Sequence, residues 1–153
     1  MITELDIIIR LGLAFAAGAI IGFERSSRRQ VAGLRTHILI STGAALLMIL
    51  SIWLPQQWGS GDPGRIAAQV VSGMGFLGAG AIIRLGYNIR GLTTAASLWL
   101  IAAIGMSIGA GLFIAAGATA VIALITLYIL GKVERKIFPD DWIPPESNIK
   151  SNQ

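Results

Sequence analysis

The sequence predicts an all-α, polytopic membrane bundle of five transmembrane helices, with the N-terminus outside and the C-terminus in the cytoplasm. Three observations carry this. Of 153 residues, 54% are hydrophobic and 13% charged, about half the charged share of an ordinary soluble domain. The mean hydropathy is +0.72. The apolar runs are separated by short polar segments, and several reach the roughly 20 residues that cross a bilayer.

The first span is expected over residues 5–23. The opening MITELDIIIR carries Glu4 and Asp6 and no early basic cluster. It therefore reads as a retained helix and not a secretory signal, which would begin positively charged. Ala14, Gly18 and Gly22 recur every four residues, the small-residue pattern of close helix packing. A loop with Glu24, Arg25, Arg28, Arg29 and Arg35 follows.

The second span is expected over residues 36–54. Trp53 and Trp58 flank its far end, where amphipathic rings prefer the interface. The next loop, 55–64, is rich in Gly and Pro. The third span is expected over residues 65–83, with Asp62 as N-cap and Pro63 at the first helical position. A polar loop with Arg84, Asn88 and Arg90 ends where Thr93 or Thr94 is expected to cap the fourth span.

From Ala95 to Gly131 the chain carries no charge. One helix of that length would measure about 55 Å against a hydrocarbon core of about 30 Å. It must turn, and Gly109-Ala110-Gly111 is the best turn. That gives a fourth span over residues 94–108 and a fifth over 112–130. Residues 1–131 form the membrane domain. Residues 132–153 form a short cytoplasmic tail, with Pro139, Pro144 and Pro145, expected to fray after Trp142.

Ten of the twelve basic residues then fall on one side: the first loop, the third loop and the tail with Lys132, Arg135, Lys136 and Lys150. Arg10 and Arg65 lie on the other. The positive-inside rule places the ten in the cytoplasm. The net charge of +4 thus sets topology and does not indicate nucleic acid. These arginines need do no more, or they hold anionic headgroups or a partner.

Few residues carry chemistry. Gly73-Met74-Gly75-Phe76-Leu77-Gly78 matches G-x-G-x-x-G but lies inside an apolar helix, with Leu98 where a dinucleotide site needs an acid. The glycines Gly73, Gly75, Gly78 and Gly80 read as a packing surface, and no nucleotide is expected. Gln69 and Ser72 lie one turn apart in the third span. Either they bond across helices, or with Thr93, Thr94 and Ser97 they line a polar pocket or ion path.

Glu24 can pair with Arg28 one turn on, or face Arg35, Arg84 or Arg90 within the bundle. Asp62 is a cap or a cation contact on the outer side. No all-protein magnesium cage is visible, and the metal question stays open. His37 is the only histidine and cysteine is absent, so zinc is not expected. No cofactor, nucleophile–base pair or ATP-binding loop is recognised, and no enzyme activity is expected.

The segments GFERSSRRQVAGLRTH (22–37), DPGRIAAQVVSGMGFLGAGAIIR (62–84) and RGLTTAASLW (90–99) resemble the MgtC/SapB family of bacterial inner-membrane proteins. The resemblance covers about residues 5–131. It implies about five transmembrane helices and a link to magnesium limitation, with intracellular survival and virulence in some members. The family's signature positions fall on Glu24, Arg35, Thr36 and His37; on Asp62, Arg65, Gln69 and Ser72; and on Arg84, Arg90, Thr93 and Thr94.

Two departures stand out. Many members read E-R-E where this chain has Glu24-Arg25-Ser26, so one acidic group is missing. Larger members add a soluble cytoplasmic domain after the last span, so this chain reads as a short member. The expectation is therefore a non-enzymatic, multi-pass inner-membrane protein in magnesium homeostasis, a homodimer through a small-residue face, acting through a membrane partner or lipid. The alternative is a small cation transporter or channel with a polar path near Gln69, Ser72 and Thr93.

Overall fold

The computed structural model describes residues 2–85 and 88–137. The expected tail beyond Ile137, including its prolines and Lys150, lies outside the described residues. The chain is helical: α1 (Glu4–Ser27), α2 (Leu34–Trp58), α3 (Arg65–Ala81), α4 (Leu92–Gly109) and α5 (Phe113–Leu124). The last helix continues end to end through a π-helical turn, Ile125–Leu130, into α6 (Gly131–Ile137).

Among the described residues, four helical stretches are long and apolar enough to cross a membrane: Glu4–Ser27, Leu34–Trp58, Leu92–Gly109 and Phe113–Val133. The remaining helix, α3, has 17 residues, the lower limit for a span.

Local chemistry explains the boundaries. Thr3 and Asp6 form a reciprocal capping box at the start of α1, satisfying two N–H groups that a helix start leaves without partners. The expected loop after Leu54 needs correction. Helix α2 runs through Pro55 to Trp58 and stops at Gly59, in the left-handed region at φ 67°. Proline removes the N–H that would bind the Ser51 carbonyl. The Ser51 side chain is buried; it donates to Pro63 O and accepts from Ala67 N–H at 3.3 Å, tying α2 to the start of α3.

Two expected caps also need correction. Asp62 Oδ1 accepts from Gly64 N–H at 2.8 Å, as an N-cap would. The intervening turn is nevertheless tight, Arg65 N–H bonding Asp62 O, so regular α3 begins two residues later than Pro63. Helix α4 is preceded by Gly91 at φ 91°, with no side-chain cap. A Cβ there would run into the Ala81 carbonyl, so only glycine fits. Thr93 and Thr94 lie within the helix.

The polar loop after α3 is not irregular. It contains an antiparallel pair, β1 (Ile83–Leu85) with β2 (Asn88–Arg90), in register Ile83↔Arg90, Arg84↔Ile89 and Leu85↔Asn88. The third span was expected to reach residue 83. Helix α3 ends at Ala81 because β-branched Ile82 and Ile83 favour extended backbone.

Helix α4 is the centre. Uncharged and without a continuous polar face, it suits a buried position, and it packs against α1, α2, α3 and α5. One core cluster joins Ala14 and Ile21 to Ala45, Ile101, Ile104 and Ala116; a second joins Ala44 to Met74, Ala81, Leu98 and Ala102. The outer surface carries Leu5, Phe15, Phe23, Leu39, Phe76 and Ile114, an apolar exterior suited to lipid.

Two ends of the bundle are defined by long-range bonds. At one end Arg10 Nη1 donates to Gly109 O at 2.6 Å, and Ser51 holds the start of α3. At the other, Arg28 Nη2 donates to Tyr128 O at 3.0 Å, and Thr94 Oγ1 donates to Gln30 Oε1 at 3.3 Å.

Candidate functional site

The end of the bundle formed by the close of α1, the start of α2 and the start of α4 gathers most of the polar residues singled out above. Glu24 Oε2 lies 2.6 Å from Arg25 Nε, and its Oε1 lies 2.5 Å from Arg28 Nε, an ion pair without hydrogen-bond geometry. Arg25 is only 4% exposed. A buried guanidinium needs a carboxylate, since a lone charge there is costly. Glu24 meets that need, so its partners are Arg25 and Arg28. Helical spacing points one turn ahead, to Arg28, and does not reveal the adjacent Arg25.

His37 is fully buried. Its Nδ1 lies 2.9 Å from Gly33 O, which only accepts, so Nδ1 carries the proton. Its Nε2 lies 3.3 Å from Ser97 Oγ; the Ser97 hydroxyl lies 2.8 Å from Thr94 O, and Thr94 reaches Gln30. Gly33, His37, Ser97, Thr94 and Gln30 therefore form one continuous chain of polar contacts between α2, α4 and the loop that ends α1, in which the one Ser97 hydroxyl hydrogen serves both His37 Nε2 and Thr94 O. Gln30 carried no signal in the sequence, since its role exists only once α4 docks against that loop.

The small residues of α1 explain how α2 comes so near. A Cβ on Gly18 would stand 2.7 Å from His37 O and Ile38 Cα, and one on Gly22 would stand 2.8 Å from Leu34 Cα. Ala14 is fully buried. This stripe faces α2 of the same chain.

Helix α3 is arranged differently. Its buried residues are Ala67, Met74, Gly78 and Ala81, one stripe at helical spacing, with Gly78 in contact with Ala95. Gln69 and Ser72 are exposed on its outer side. Ser72 is satisfied within its own helix by Ala68 O at 3.2 Å. A Cβ added at Gly73, Gly75 or Gly80 would meet nothing within 4 Å. Thr93 is exposed while Thr94 is buried.

Arg35, Arg84 and Arg90 are exposed at the polar end. Asp62 and Arg65 line a small cavity of about 150 Å³ with Ser51, Pro55 and Trp58 at the opposite end. The structure thus separates Asp62 and Arg65 from Glu24 and His37 by the length of the bundle. Among the described residues, no group of three His, Cys, Asp or Glu side chains is placed to hold a metal ion.

A family model described as the MgtC family matches residues 11–136. Protein MgtC of Salmonella typhimurium strain LT2 is 47% identical over 130 residues, covering 85% of this chain and 54% of the relative. Protein MgtC of Brucella abortus strain 2308 is 49% identical over 117 residues, covering 76% and 48%. The chain spans about half the length of these curated relatives. No solved structure matches.

Proposed function

Because this chain belongs to the MgtC family, we propose that it is a non-enzymatic inner-membrane protein of magnesium-linked adaptation, acting by binding a membrane partner or lipid. In this reading α3 also crosses the membrane, as the third of five spans. Its 17 residues cover about 26 Å. Ser51 ties its start to one end of the bundle, and Ala81 lies against Gly91 at the other. Five spans put Arg25, Arg28, Arg35, Arg84, Arg90 and Lys132 on one side, which the positive-inside rule assigns to the cytoplasm.

The observation that carries the functional reading is the division of the polar residues. Those at the polar end inside the bundle engage one another, Glu24 with Arg25 and Arg28 and His37 with Ser97, while the Ser41 and Thr42 hydroxyls of α2 are buried without a hydrogen-bond partner. Those on α3 lie outside. A conducting path would need the two sets to meet within the bundle. An amide facing lipid is costly without a partner. A second copy supplies one: the Gln69 amide donates and accepts, so two copies related by a twofold axis satisfy each other. The open glycines at 73 and 80 permit close approach. We place the homodimer contact on α3.

The chain contains no cysteine, so single-cysteine crosslinking tests this directly. Gln69→Cys, oxidised in native membranes, is expected to yield a covalent dimer. Ile8→Cys, on the exposed apolar surface of α1, is expected to yield none. No dimer at position 69, or equal crosslinking at both, would remove α3 as the interface.

A further inference from the structure

The last membrane helix leaves α-geometry over Ile125–Leu130. The π-helix is rare, appears mostly as single turns within α-helices, and is frequent at functional sites. This one carries Tyr128, on which two cations converge. From the C-cap of α1, the Arg28 guanidinium carbon lies 5.2 Å from the ring centroid, and Nη2 donates to the Tyr128 carbonyl. From α6, Lys132 Nζ lies 4.4 Å from the same centroid and donates to the Tyr128 hydroxyl at 3.0 Å.

Beside this ring lies a cavity of about 340 Å³, lined by Phe23, Glu24, Ser27, Arg28, Tyr128 and Lys132. Its lining holds two cations and one carboxylate, and that carboxylate is already shared with buried Arg25. The cavity therefore favours an anion. The walls are mostly apolar, built from the Phe23 and Tyr128 rings and the stems of Arg28 and Lys132. Phe23 is 67% and Tyr128 50% exposed, so the cavity opens on the bundle's outer flank. An apolar wall topped by cations and a tyrosine, at the end of two apolar helices, matches the depth where acyl chains meet headgroups.

We propose that this cavity binds an anionic phospholipid, its phosphate held by Arg28 and Lys132 and its upper chain against Phe23 and the Tyr128 ring. The inference deepens the lipid half of the reading above and rests on the chain's membrane placement. That placement is checked separately, by retention in the membrane fraction after an alkaline carbonate wash.

The test is native mass spectrometry of the purified chain, titrated with phosphatidylglycerol, phosphatidylcholine or inorganic phosphate. The wild type is expected to take up phosphatidylglycerol at lower concentration than phosphatidylcholine. Lys132→Gln is expected to weaken the first phosphatidylglycerol about five-fold, the scale of one basic contact at an anionic surface, and to leave phosphatidylcholine unchanged. Lys132→Arg is expected to restore selectivity. No preference for the anionic lipid in the wild type would overturn the proposal. So would a preference that survives both Lys132→Gln and Arg28→Gln. Displacement of the lipid by millimolar inorganic phosphate would make the cavity a soluble-anion site and overturn the lipid assignment.

Discussion

Gly18 in α1 lies directly against the His37 carbonyl in α2, where an added Cβ would stand 2.7 Å from the oxygen. The contact involves backbone on the α2 side, so no flexible side chain can move aside. Gly18→Ala should therefore force the two helices apart and cost about 1–3 kcal/mol, the range for overpacking. Thermal denaturation in detergent checks it. Gly12→Ala is the control, because nothing lies within 4 Å of that position on the same helix; it should be neutral or mildly stabilising. Equal effects would contradict the placement of the α1 stripe.

The His37–Ser97 contact is the second test. Ser97→Ala leaves the buried Nε2 without its oxygen, and a buried polar atom without a partner costs about 1–3 kcal/mol. A double-mutant cycle with His37→Leu should show coupling between the two positions. Additive losses would mean that the ring and the hydroxyl act independently.

Arg10 caps the opposite end. Its guanidinium donates to Gly109 O and lies 6.0 Å from the centre of the Phe113 ring. A cation at the close of a helix complements the last free carbonyls. Arg10→Met should lower the melting temperature and speed amide exchange at Gly111 and Leu112, whose N–H groups bond Ile108 O and Ser107 O in this turn. Unchanged exchange there would show that the turn holds without Arg10.

The positive-inside rule predicts the orientation from the arginines. With no native cysteine, Ser27→Cys reports one side of the membrane alone. Labelling by an impermeant maleimide should require opening of the cells. Labelling of intact cells would reverse the topology.

The apolar runs made the helices legible, because a span must bury its own backbone polar groups whatever it packs against. Their ends were less so. Proline at 55 reads as a stop, yet α2 continues, with Ser51 binding the start of α3. Ile82 and Ile83 read as the last turn of a span, whereas they lead into β1. The Glu24–Arg28 spacing was readable along one helix. The Arg25 pairing, the Gln30–Thr94 contact and the convergence of two cations on Tyr128 were not, since burial and the meeting of segments across the bundle decide them. Lys132 follows Tyr128 by four residues, a helical neighbour spacing, so half of that last contact does leave a signal in the sequence. The glycine string of α3 carried a packing signal without a direction; only docking on α4 separates buried Gly78 from the open Gly73, Gly75 and Gly80.

Recognition without conduction is the reading on which the proposed function stands. The direct measurement is ion flux in sealed liposomes carrying the purified chain, loaded with reporters for magnesium, potassium and sodium. No flux above empty liposomes is expected for the wild type, and no difference for Gln69→Leu. Cation flux through the wild type, lost in a folded Gln69→Leu variant, would contradict that reading and establish a path along α3.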